Sequence, residues 1–424
     1  MFRFILKGII RDRSRSLFPI IVVTTGVMLT VVMQSWIRGV MGDMVDFNAR
    51  FLTGHVKIMT RSYAESQDQM PNDLAMIGVD ELIKNLRRDF PDVDWVKRIR
   101  FGGLIDVPDE NGVTISQGPA LGLAVDLLSK SSSEIERLNI KDGMKRGRMP
   151  RDRGEALLSD QFATRLDVKP GDVVTLITST MYGSMAMKNF IVSGTVEFGI
   201  RVMDMGAVIV DIKDAQQVLD MEDGSSEILG YFKGGVYDEH KAKGLMERFN
   251  AKYSNTDDEF SPIMLRLRDQ NDLASLLDYV SDFSKIMIAV FVVAMSIVLW
   301  NAGLIGGLRR YGEIGLRLAM GESKGGVHRS MIMESVAIGV MGSLFGTIIG
   351  LIIAWILQTR GIDISSMMRN ATMMLPSTFR ARITPGAYFI GFVPGLFSTV
   401  LGTALAGIGI YKRETAGLFR ELEA

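Results

Sequence analysis

Four long apolar windows divide this chain, and none of them contains Asp, Glu, Lys or Arg. They cover Ser16–Ile37, Ile286–Leu308, Ser335–Thr359 and Ile383–Tyr411. An α-helix rises about 1.5 Å per residue, so even the shortest window reaches about 33 Å and can cross the hydrocarbon core of a membrane. The pattern therefore predicts four membrane-spanning helices rather than four buried helices of a soluble core.

The long segment between the first and second windows alternates strand-like and helix-like patterns. Its β-branched runs, bounded by Gly, Pro or Asp, are HVKIMT, VKRIRFGGLIDV, DVVTLITST, NFIVSGTVEF and MGAVIVDI. Its helical patterns are DELIKNLRRDF, EALLSDQFATRL, IKDAQQVLDM and DEHKAKGLMERFNAKY. The predicted fold class is therefore a membrane α-helical protein with four transmembrane helices and a large extracytoplasmic α+β domain between helices 1 and 2.

These patterns place the domain boundaries. An interfacial N-terminal helix is predicted at 1–15, followed by transmembrane helix 1 at 16–40 and the large domain at 41–282. The stretch DQNDLASLLDYVSDFSKIMIAV keeps a helical pattern into transmembrane helix 2, which is predicted at 283–308. The remaining segments are a cytoplasmic loop at 309–334, transmembrane helix 3 at 335–359, an extracytoplasmic loop at 360–382, transmembrane helix 4 at 383–411 and a cytoplasmic tail at 412–424.

The positions of Lys and Arg predict the orientation of the chain. Basic residues collect in 1–15, 309–334 and 412–424, which four spans place on one side of the membrane. That side is expected to be cytoplasmic, although loop 360–382 on the other side also holds four Arg. No cleavage site of the A-x-A type follows the first apolar run, so we interpret that run as an uncleaved span.

Composition and motifs exclude several classes of function. The 48 Lys and Arg balance 48 Asp and Glu, which gives no support for a nucleic-acid partner, and the absence of Cys excludes thiol chemistry. The chain has no G-x-x-x-x-G-K-[ST], H-E-x-x-H, EF-hand or G-x-S-x-G motif. We therefore expect no catalytic residue, no metal site and no enzyme activity in this chain. His55 is expected to be hydrogen-bonded or exposed rather than a ligand, and Asp204 and Glu197 are expected to be solvated.

Glycines recur every four residues in the predicted membrane helices. Gly342, Gly346 and Gly350 form two consecutive G-x-x-x-G steps in the third window, and Gly303 and Gly307 repeat the spacing in the second. Such rows allow helix backbones to approach closely, so a packing role is predicted. The alternative is that glycine is simply common in membrane helices.

The loop between the second and third windows contains an amphipathic stretch, RYGEIGLRLAM. As a helix it places Ile314 and Leu318 on one face and lets Glu313 pair with Arg317 at i,i+4. Gly321 and the Gly325–Gly326 pair are expected to end it. Such a helix can lie on lipid or dock in the groove of a partner protein.

These same residues show a family resemblance. The stretch RRYGEIGLRLAMGESKGGVHRSMIMESVAIGVMGSLFGTIIG resembles the signature of the FtsX-like permeases. The segments TGHVKIMTRSY, GEALLSDQFATRLDVKPGDVVTLI, NFIVSGTVEFG and GAVIVDIKDAQQVL resemble the core domain of MacB-type permeases, and the layout is most similar to that of the LolC and LolE lipoprotein-releasing permeases.

The resemblance implies a function and a set of site residues. The chain would be the permease subunit of an ABC transporter of the mechanotransmission type that extracts lipoproteins from the bacterial inner membrane, with both termini cytoplasmic. Export of peptides, antibiotics or lipids, and regulation of a cell-wall hydrolase without transport, are the alternatives. The implied coupling residues toward the ATPase are Arg310, Glu313, Ile314, Gly315, Arg317, Leu318 and Gly321.

The resemblance also implies partners and a cavity. The chain itself would bind no cofactor, because ATP and Mg would bind in the ABC ATPase subunits, of which there would be two copies. Other implied partners are a second permease subunit, identical or homologous, a periplasmic carrier or adaptor, and membrane lipid. The expected lining of an acyl-chain cavity is Val23, Val27, Val31, Gln34, Met287, Val290 and Met295, with plain helix packing as the alternative for each.

Overall fold

The computed structural model describes residues 13–109, 111–129, 132–255, 257–270, 273–309, 316–363 and 378–411. The chain divides into two compact units. The membrane unit contains the described residues up to Gly42, from Ser275 to Ile362 and from Thr378 onward. The core domain contains the described residues from Asp43 to Ala274, together with Asp363.

Helices and strands are numbered in chain order. The helices are α1 Arg13–Asn48, α2 Arg61–Glu65, α3 Val79–Asp89, α4 Glu134–Arg137, α5 Ile140–Gly143, α6 Asp160–Arg165, α7 Arg201–Gly206, α8 Ile212–Val218, α9 Glu239–Tyr253, α10 Leu273–Arg309, α11 Lys324–Arg360, α12 Ala387–Ile390 and α13 Phe392–Tyr411. A π-helix follows α1 at Ala49–Thr53, and 3₁₀ turns lie at Gln67–Gln69, Asn72–Leu74 and Leu267–Asp269.

The strands complete the core domain and add two short segments elsewhere. They are β1 Val56–Thr60, β2 Met76–Ile77, β3 Val93–Pro108, β4 Thr114–Val125, β5 Met144–Gly147, β6 Glu155–Ser159, β7 Val173–Ser179, β8 Met185–Val196, β9 Ala207–Asp211, β10 Gly224–Ser225, β11 Glu227–Phe232, β12 Pro262–Arg266, β13 Ile362–Asp363 and β14 Thr378–Phe379.

Four helical segments among the described residues are long and apolar enough to cross a membrane. They are Leu17–Thr53, Leu273–Asn301, Lys324–Arg360 and Ala387–Ala406. Each contains most of one charge-free window, because a helix satisfies its own backbone hydrogen bonds where no water is present. The predicted fold class, four membrane helices with a large mixed domain after the first, is confirmed.

The helix ends differ from the predicted span ends. Helix α1 continues through the charged residues Arg38, Asp43 and Asp46 to Asn48, well past the predicted end at 40. Helix α10 begins at Leu273, which confirms the predicted continuous helical pattern into the second span. A charged residue marks the end of a charge-free window but not the end of the helix, because Arg and Asp are both compatible with helical backbone.

The prediction that Gly325 and Gly326 end a helix is wrong. They lie in the first turn of α11, where the Ser323 hydroxyl accepts a hydrogen bond of 3.1 Å from the Gly326 N–H. Serine at this position satisfies one of the unpaired N–H groups at the start of a helix. Residues 324–334, predicted as part of the loop, therefore belong to the third membrane helix.

The fourth span is interrupted at Gly391, between α12 and α13. Pro394 lies in the first turn of α13, where its missing N–H removes no hydrogen bond within the helix. The segment therefore begins as one short helical turn followed by a helix of 20 residues.

The core domain is built on one large mixed sheet. Its strands follow the order β12-β1-β11-β3-β4-β9-β6-β8-β5, and β7 pairs with both β3 and β8. Most pairs are antiparallel, while β4 with β9 and β6 with β8 are parallel. The 16 residues of β3 connect two lobes, because its first half pairs with β11 and its second half with β4 and β7.

One predicted helix in this domain is wrong in its first half. EALLSDQFATRL forms strand β6 at Glu155–Ser159 and only then helix α6 at Asp160–Arg165. All five residues of β6 are buried, between neighbours β8 and β9. A short apolar run gives the same hydrophobic signal in a buried strand as in a buried helix, and here the sheet neighbours decide its conformation.

The β1–β11–β3 lobe has two chemically different buried faces. One face packs Val56, Ile58, Trp95 and Ile228 under helices α3 and α9, in a cluster completed by Leu86 and Phe249 among others. The opposite face holds buried charges, including an ion pair of 2.8 Å between Lys57 and Glu227 and one of 2.6 Å between Arg98 and Glu134. Both faces are therefore buried, one by apolar packing and one by charge pairing.

Candidate functional site

The predicted coupling segment is described in part. Arg310, Glu313, Ile314 and Gly315 lie outside the described residues. Residues 316–319 are helical, with Arg317 and Leu318 half-buried. Gly321 has φ +91°, a left-handed conformation that favours glycine, and its N–H donates to the Leu318 carbonyl at 3.1 Å, so the helical turn ends there.

Two apolar side chains on this turn were not singled out from the sequence. Leu316 is 60% exposed and Met320 is 72% exposed. They lie four residues apart and so share one face of a helical turn. The i,i+4 spacing of Leu and Met was the available signal, and it predicts an apolar docking face on the side of the turn opposite Leu318.

The glycine row of α11 packs on a valine row of α1 inside the membrane unit. Gly342 faces Val23, Gly346 faces Val27 and Gly350 faces Val31. A methyl group at Gly346 would lie 2.6 Å from the Thr24 carbonyl oxygen and 2.7 Å from the Val27 Cβ.

The close approach of these two helices also brings polar groups together. The Thr24 hydroxyl donates to the Gly342 carbonyl at 3.3 Å, so the glycine also leaves room for a hydrogen bond between helices.

The residues predicted to line a cavity fall into two groups. Val23, Val27 and Val31 are fully buried against the glycine row, and Met295 is buried against Gly26. Gln34 accepts a hydrogen bond from the Ser284 hydroxyl. These residues could line an open cavity only in a state in which the helix contacts have separated, so their cavity role stays a prediction.

Met287 and Val290 belong to the open face of α10. Met287 is half-buried and Val290 is 53% exposed. The exposed stripe on this helix recurs every three or four residues and contains Tyr279, Phe283, Ile286, Val290, Val293 and Ile297. Such a stripe fits lipid or another apolar helix. Gly303 and Gly307 are in the same helix, and their packing lies outside the described side chains.

The polar residues weighed as chemical candidates have structural partners. His55 is buried, and its Nδ1 accepts a hydrogen bond of 3.0 Å from the Phe232 N–H. Burial lowers the pKa of His55 to about 4, which keeps the ring neutral. The described residues contain no cluster of three or more His, Cys, Asp or Glu suited to a metal ion.

Asp204 is not solvated as predicted. It is 3% exposed, and its two carboxylate oxygens accept hydrogen bonds from the Phe198 N–H at 2.7 Å and the Ile200 N–H at 2.9 Å. Burial raises its pKa. Glu197 points elsewhere and pairs with Lys145 at 2.5 Å. The carboxylates therefore shape a loop and do not form a catalytic pair.

These features define a class of protein: a four-helix membrane protein with a large mixed α/β domain inserted after its first span. Comparison with family models gives the particular family. Residues 16–282 match the MacB-like periplasmic core domain, and residues 285–415 match the FtsX-like permease C-terminal domain. The chain belongs to this family of permeases, and its domain after the first span is of the periplasmic type.

Individual relatives are more distant. The chain is 26% identical over 244 residues to the "Lipoprotein-releasing system transmembrane protein LolC" of Xylella fastidiosa strain 9a5c, covering 56% of this chain and 54% of the relative. The protein of the same name from strain Temecula1 is 25% identical, again over 56% of this chain and 54% of the relative. The chain thus aligns with about half the length of these relatives.

One solved structure is similar to part of this chain. It is the periplasmic region of MacB from Actinobacillus actinomycetemcomitans, with a TM-score of 0.37 and 9% identity, covering 55% of this chain and 96% of that one.

Proposed function

We propose that this chain is the permease subunit of an ABC transporter of the mechanotransmission type, which releases lipoproteins from the inner membrane. The observation that carries the proposal is the pair of family matches, which together cover all four predicted spans and the domain after the first. The choice of lipoprotein as cargo rests on the two relatives whose names state that activity.

The coupling segment supports a separate ATPase subunit as the source of energy. Leu316 and Met320 present an exposed apolar face on a short helical turn, on the side opposite the half-buried Leu318. An apolar helical face of this kind fits a hydrophobic groove of a partner protein. ATP and Mg would bind in that partner, and this segment and both termini would lie in the cytoplasm.

The open face of α10 supports a second permease subunit. The most apolar 18-residue stretch of this helix is 11% buried, against 28–39% for the corresponding stretches of the other three membrane helices. A membrane helix with so little cover inside its own chain has a large surface available for a second permease or for lipid. We assign this face to the second permease subunit, identical or homologous.

Coupling is tested by placing a charge on the proposed docking face. We expect Met320→Asp to abolish stimulation of the partner ATPase in proteoliposomes while membrane insertion, followed by protease protection, stays unchanged. Met205→Asp adds the same charge at an exposed methionine of the core domain and is the matched control. Normal stimulation in Met320→Asp would remove the coupling assignment.

Cargo is tested in cells depleted of the chain. We expect acylated lipoproteins to accumulate in the inner membrane, measured by membrane fractionation. Normal lipoprotein sorting together with increased sensitivity to antibiotics would instead favour the export alternative. Co-purification of an ATPase subunit from native membranes checks the assembly in either case.

A further inference from the structure

The π-helix Ala49–Thr53 continues α1 within the core domain, and its end needs hydrogen-bond partners. The Gly54 N–H donates to the Ala49 carbonyl at 2.9 Å, the spacing of a π-turn. The following carbonyls have no donor further along the helix, as at every helix C-terminus. The aligned peptide dipoles also make this end partly negative.

Two side chains from the sheet donate hydrogen bonds to this helix end. Arg98 supplies a donor that the Phe51 carbonyl lacks within the helix, and Tyr231 adds a second donor at the Ala49 carbonyl. Arg98 on β3 donates from Nη1 to the Phe51 carbonyl at 3.3 Å. Tyr231 on β11 donates its hydroxyl hydrogen to the Ala49 carbonyl at 3.0 Å. The guanidinium charge adds an electrostatic attraction to the partly negative helix end.

The donors are themselves held rigidly. Arg98 is 0% exposed, its Nε donates to Glu134 at 2.6 Å and its Nη2 donates to the Tyr231 oxygen at 3.1 Å. Arg137 lies 3.7 Å from the centroid of the Tyr231 ring and also pairs with Glu134 at 2.5 Å. Each rotamer is therefore constrained by at least two contacts.

A buried ion network of this kind contributes little net free energy to the stability of a domain. The desolvation of paired charges often offsets their attraction, and apolar residues of similar size would stabilise the fold as well or better. Apolar residues cannot donate hydrogen bonds to backbone carbonyls, however. The network is therefore suited to gripping the backbone of the helix end rather than to stabilising the lobe.

We propose that Arg98 and Tyr231 form a latch that makes the core domain follow the movement of α1, an inference that rests on the proposed function. A grip on carbonyl groups resists rotation and translation of the helix end, because backbone cannot absorb displacement by changing rotamers as side chains can. Arg98 and Tyr231 are positioning residues in this scheme, and Glu134 and Arg137 orient them.

The structural half of the proposal is tested with paired spin labels. The chain has no Cys, so single cysteines at the exposed residues Arg50 and Lys84 give one label at the helix end and one on α3. We expect Tyr231→Phe to broaden the distance distribution between the labels in the full chain assembled with its ATPase. Tyr237→Phe removes a hydroxyl that donates to Glu239 on α9, a helix that carries no label, and is the matched control.

The functional half uses the same variants in proteoliposomes that hold an acylated lipoprotein. We expect Tyr231→Phe to release about fivefold less lipoprotein per ATP hydrolysed, the factor that one hydrogen bond typically contributes, with ATPase activity unchanged. The double variant Arg98→Met/Glu134→Gln removes both charges of the buried pair together and is expected to show a larger loss. Arg137, which also pairs with Glu134, keeps its ion pair of 2.7 Å with Asp94.

The outcomes separate the two proposals. A narrow distance distribution in both Tyr231→Phe and Arg98→Met/Glu134→Gln would overturn the latch. A broad distribution together with normal lipoprotein release per ATP would overturn it as well. The distance measurement needs no ATP, so it still decides whether the latch is rigid if the parent protein shows no ATP-dependent release. That last result would count against the proposed function instead.

Discussion

The Ser284 hydroxyl donates a hydrogen bond of 2.7 Å to the side-chain oxygen of Gln34, and this contact joins helices α1 and α10 within the membrane unit. Gln34 lies inside the first charge-free window, and Ser284 is 9% exposed. Hydrogen bonds between membrane helices typically contribute about 0.6 kcal/mol each, with about 1.7 kcal/mol as the upper end. The pair therefore contributes modest stability and fixes which faces of the two helices meet.

A double-mutant cycle measures this contact. We expect Gln34→Leu and Ser284→Ala to show a coupling free energy of about 0.5–1.5 kcal/mol when unfolding is followed in detergent micelles. The Thr359 hydroxyl hydrogen-bonds only to carbonyls of its own helix among the described contacts, so Gln34→Leu with Thr359→Val is the uncoupled control. Equal coupling free energies in the Gln34/Ser284 cycle and the Gln34/Thr359 cycle would show that the coupling does not come from this hydrogen bond.

The contact between α11 and α1 predicts that Gly346 cannot accept even a methyl group. We expect Gly346→Ala to lower the free energy of unfolding by about 1–3 kcal/mol, because helix backbones must separate to admit the new atom. Thermal unfolding of the purified protein in detergent measures the change.

The control for this variant has the opposite expected sign. A Cβ at Gly244, inside α9, would meet no atom within 4 Å. Gly244→Ala should therefore raise stability by about 0.5–1 kcal/mol through helix propensity. A neutral Gly346→Ala would mean that the glycine row does not limit the approach of the two helices.

Burial of His55 predicts a pH dependence of core-domain stability. Its pKa is lowered from 6.5 to about 4 in the folded chain, so the unfolded chain takes up the proton first as the pH falls. Stability from this group is complete above about pH 6.5 and is lost progressively as the pH falls toward 4.

The His55 prediction is measured by urea unfolding at a series of pH values. Trp95 is 1% exposed in the core domain, so its emission reports unfolding of that domain once the other three tryptophans are replaced by Phe. We expect His55→Asn, which keeps an acceptor for the Phe232 N–H, to remove the slope between pH 6.5 and 4. If the free energy of unfolding changes with pH in the same way in the parent protein and in His55→Asn, the pH dependence comes from other titratable groups.

The buried carboxylate of Asp204 predicts different outcomes for two similar variants. Asp204→Ala leaves the N–H groups of Phe198 and Ile200 without their acceptor and should cost about 1–3 kcal/mol. Asp204→Asn keeps one acceptor and removes the buried charge, so a much smaller change is expected. Equal losses in the two variants, measured by the same unfolding experiment, would mean that the charge rather than hydrogen-bond acceptance matters.

Some sites could be predicted from the sequence because their signal is local. The G-x-x-x-G spacing of Gly342, Gly346 and Gly350 identified the face of α11 that packs closely, since a helix places every fourth residue on the same side. It did not identify the opposing residues Val23, Val27 and Val31, which were expected to line a cavity. Which helix occupies a face depends on the three-dimensional arrangement of all four helices.

The contacts of the latch, in contrast, could not be predicted from the sequence. Lys57 and Arg98 lie on strands, where a charged residue ordinarily faces solvent, so the sequence contains no sign that these two side chains are buried. Their partners could not be inferred, because Glu134 and Tyr231 lie 36 and 133 residues away from Arg98 in the chain. Pairing of β3 with β11, together with the packing of α4, brings these groups to the helix end.

The amino-acid sequence by itself determined the membrane character, the number of spans and the mixed domain after the first span. Those features follow from composition and periodicity over short stretches, where the cost of placing charge or unpaired backbone in lipid decides the outcome. The tertiary structure alone decided that Glu155–Ser159 is a strand, that the predicted cavity valines pack on glycines and that a buried arginine holds a helix end. In each case the competing local states differ little in free energy, so contacts between residues distant in sequence select among them.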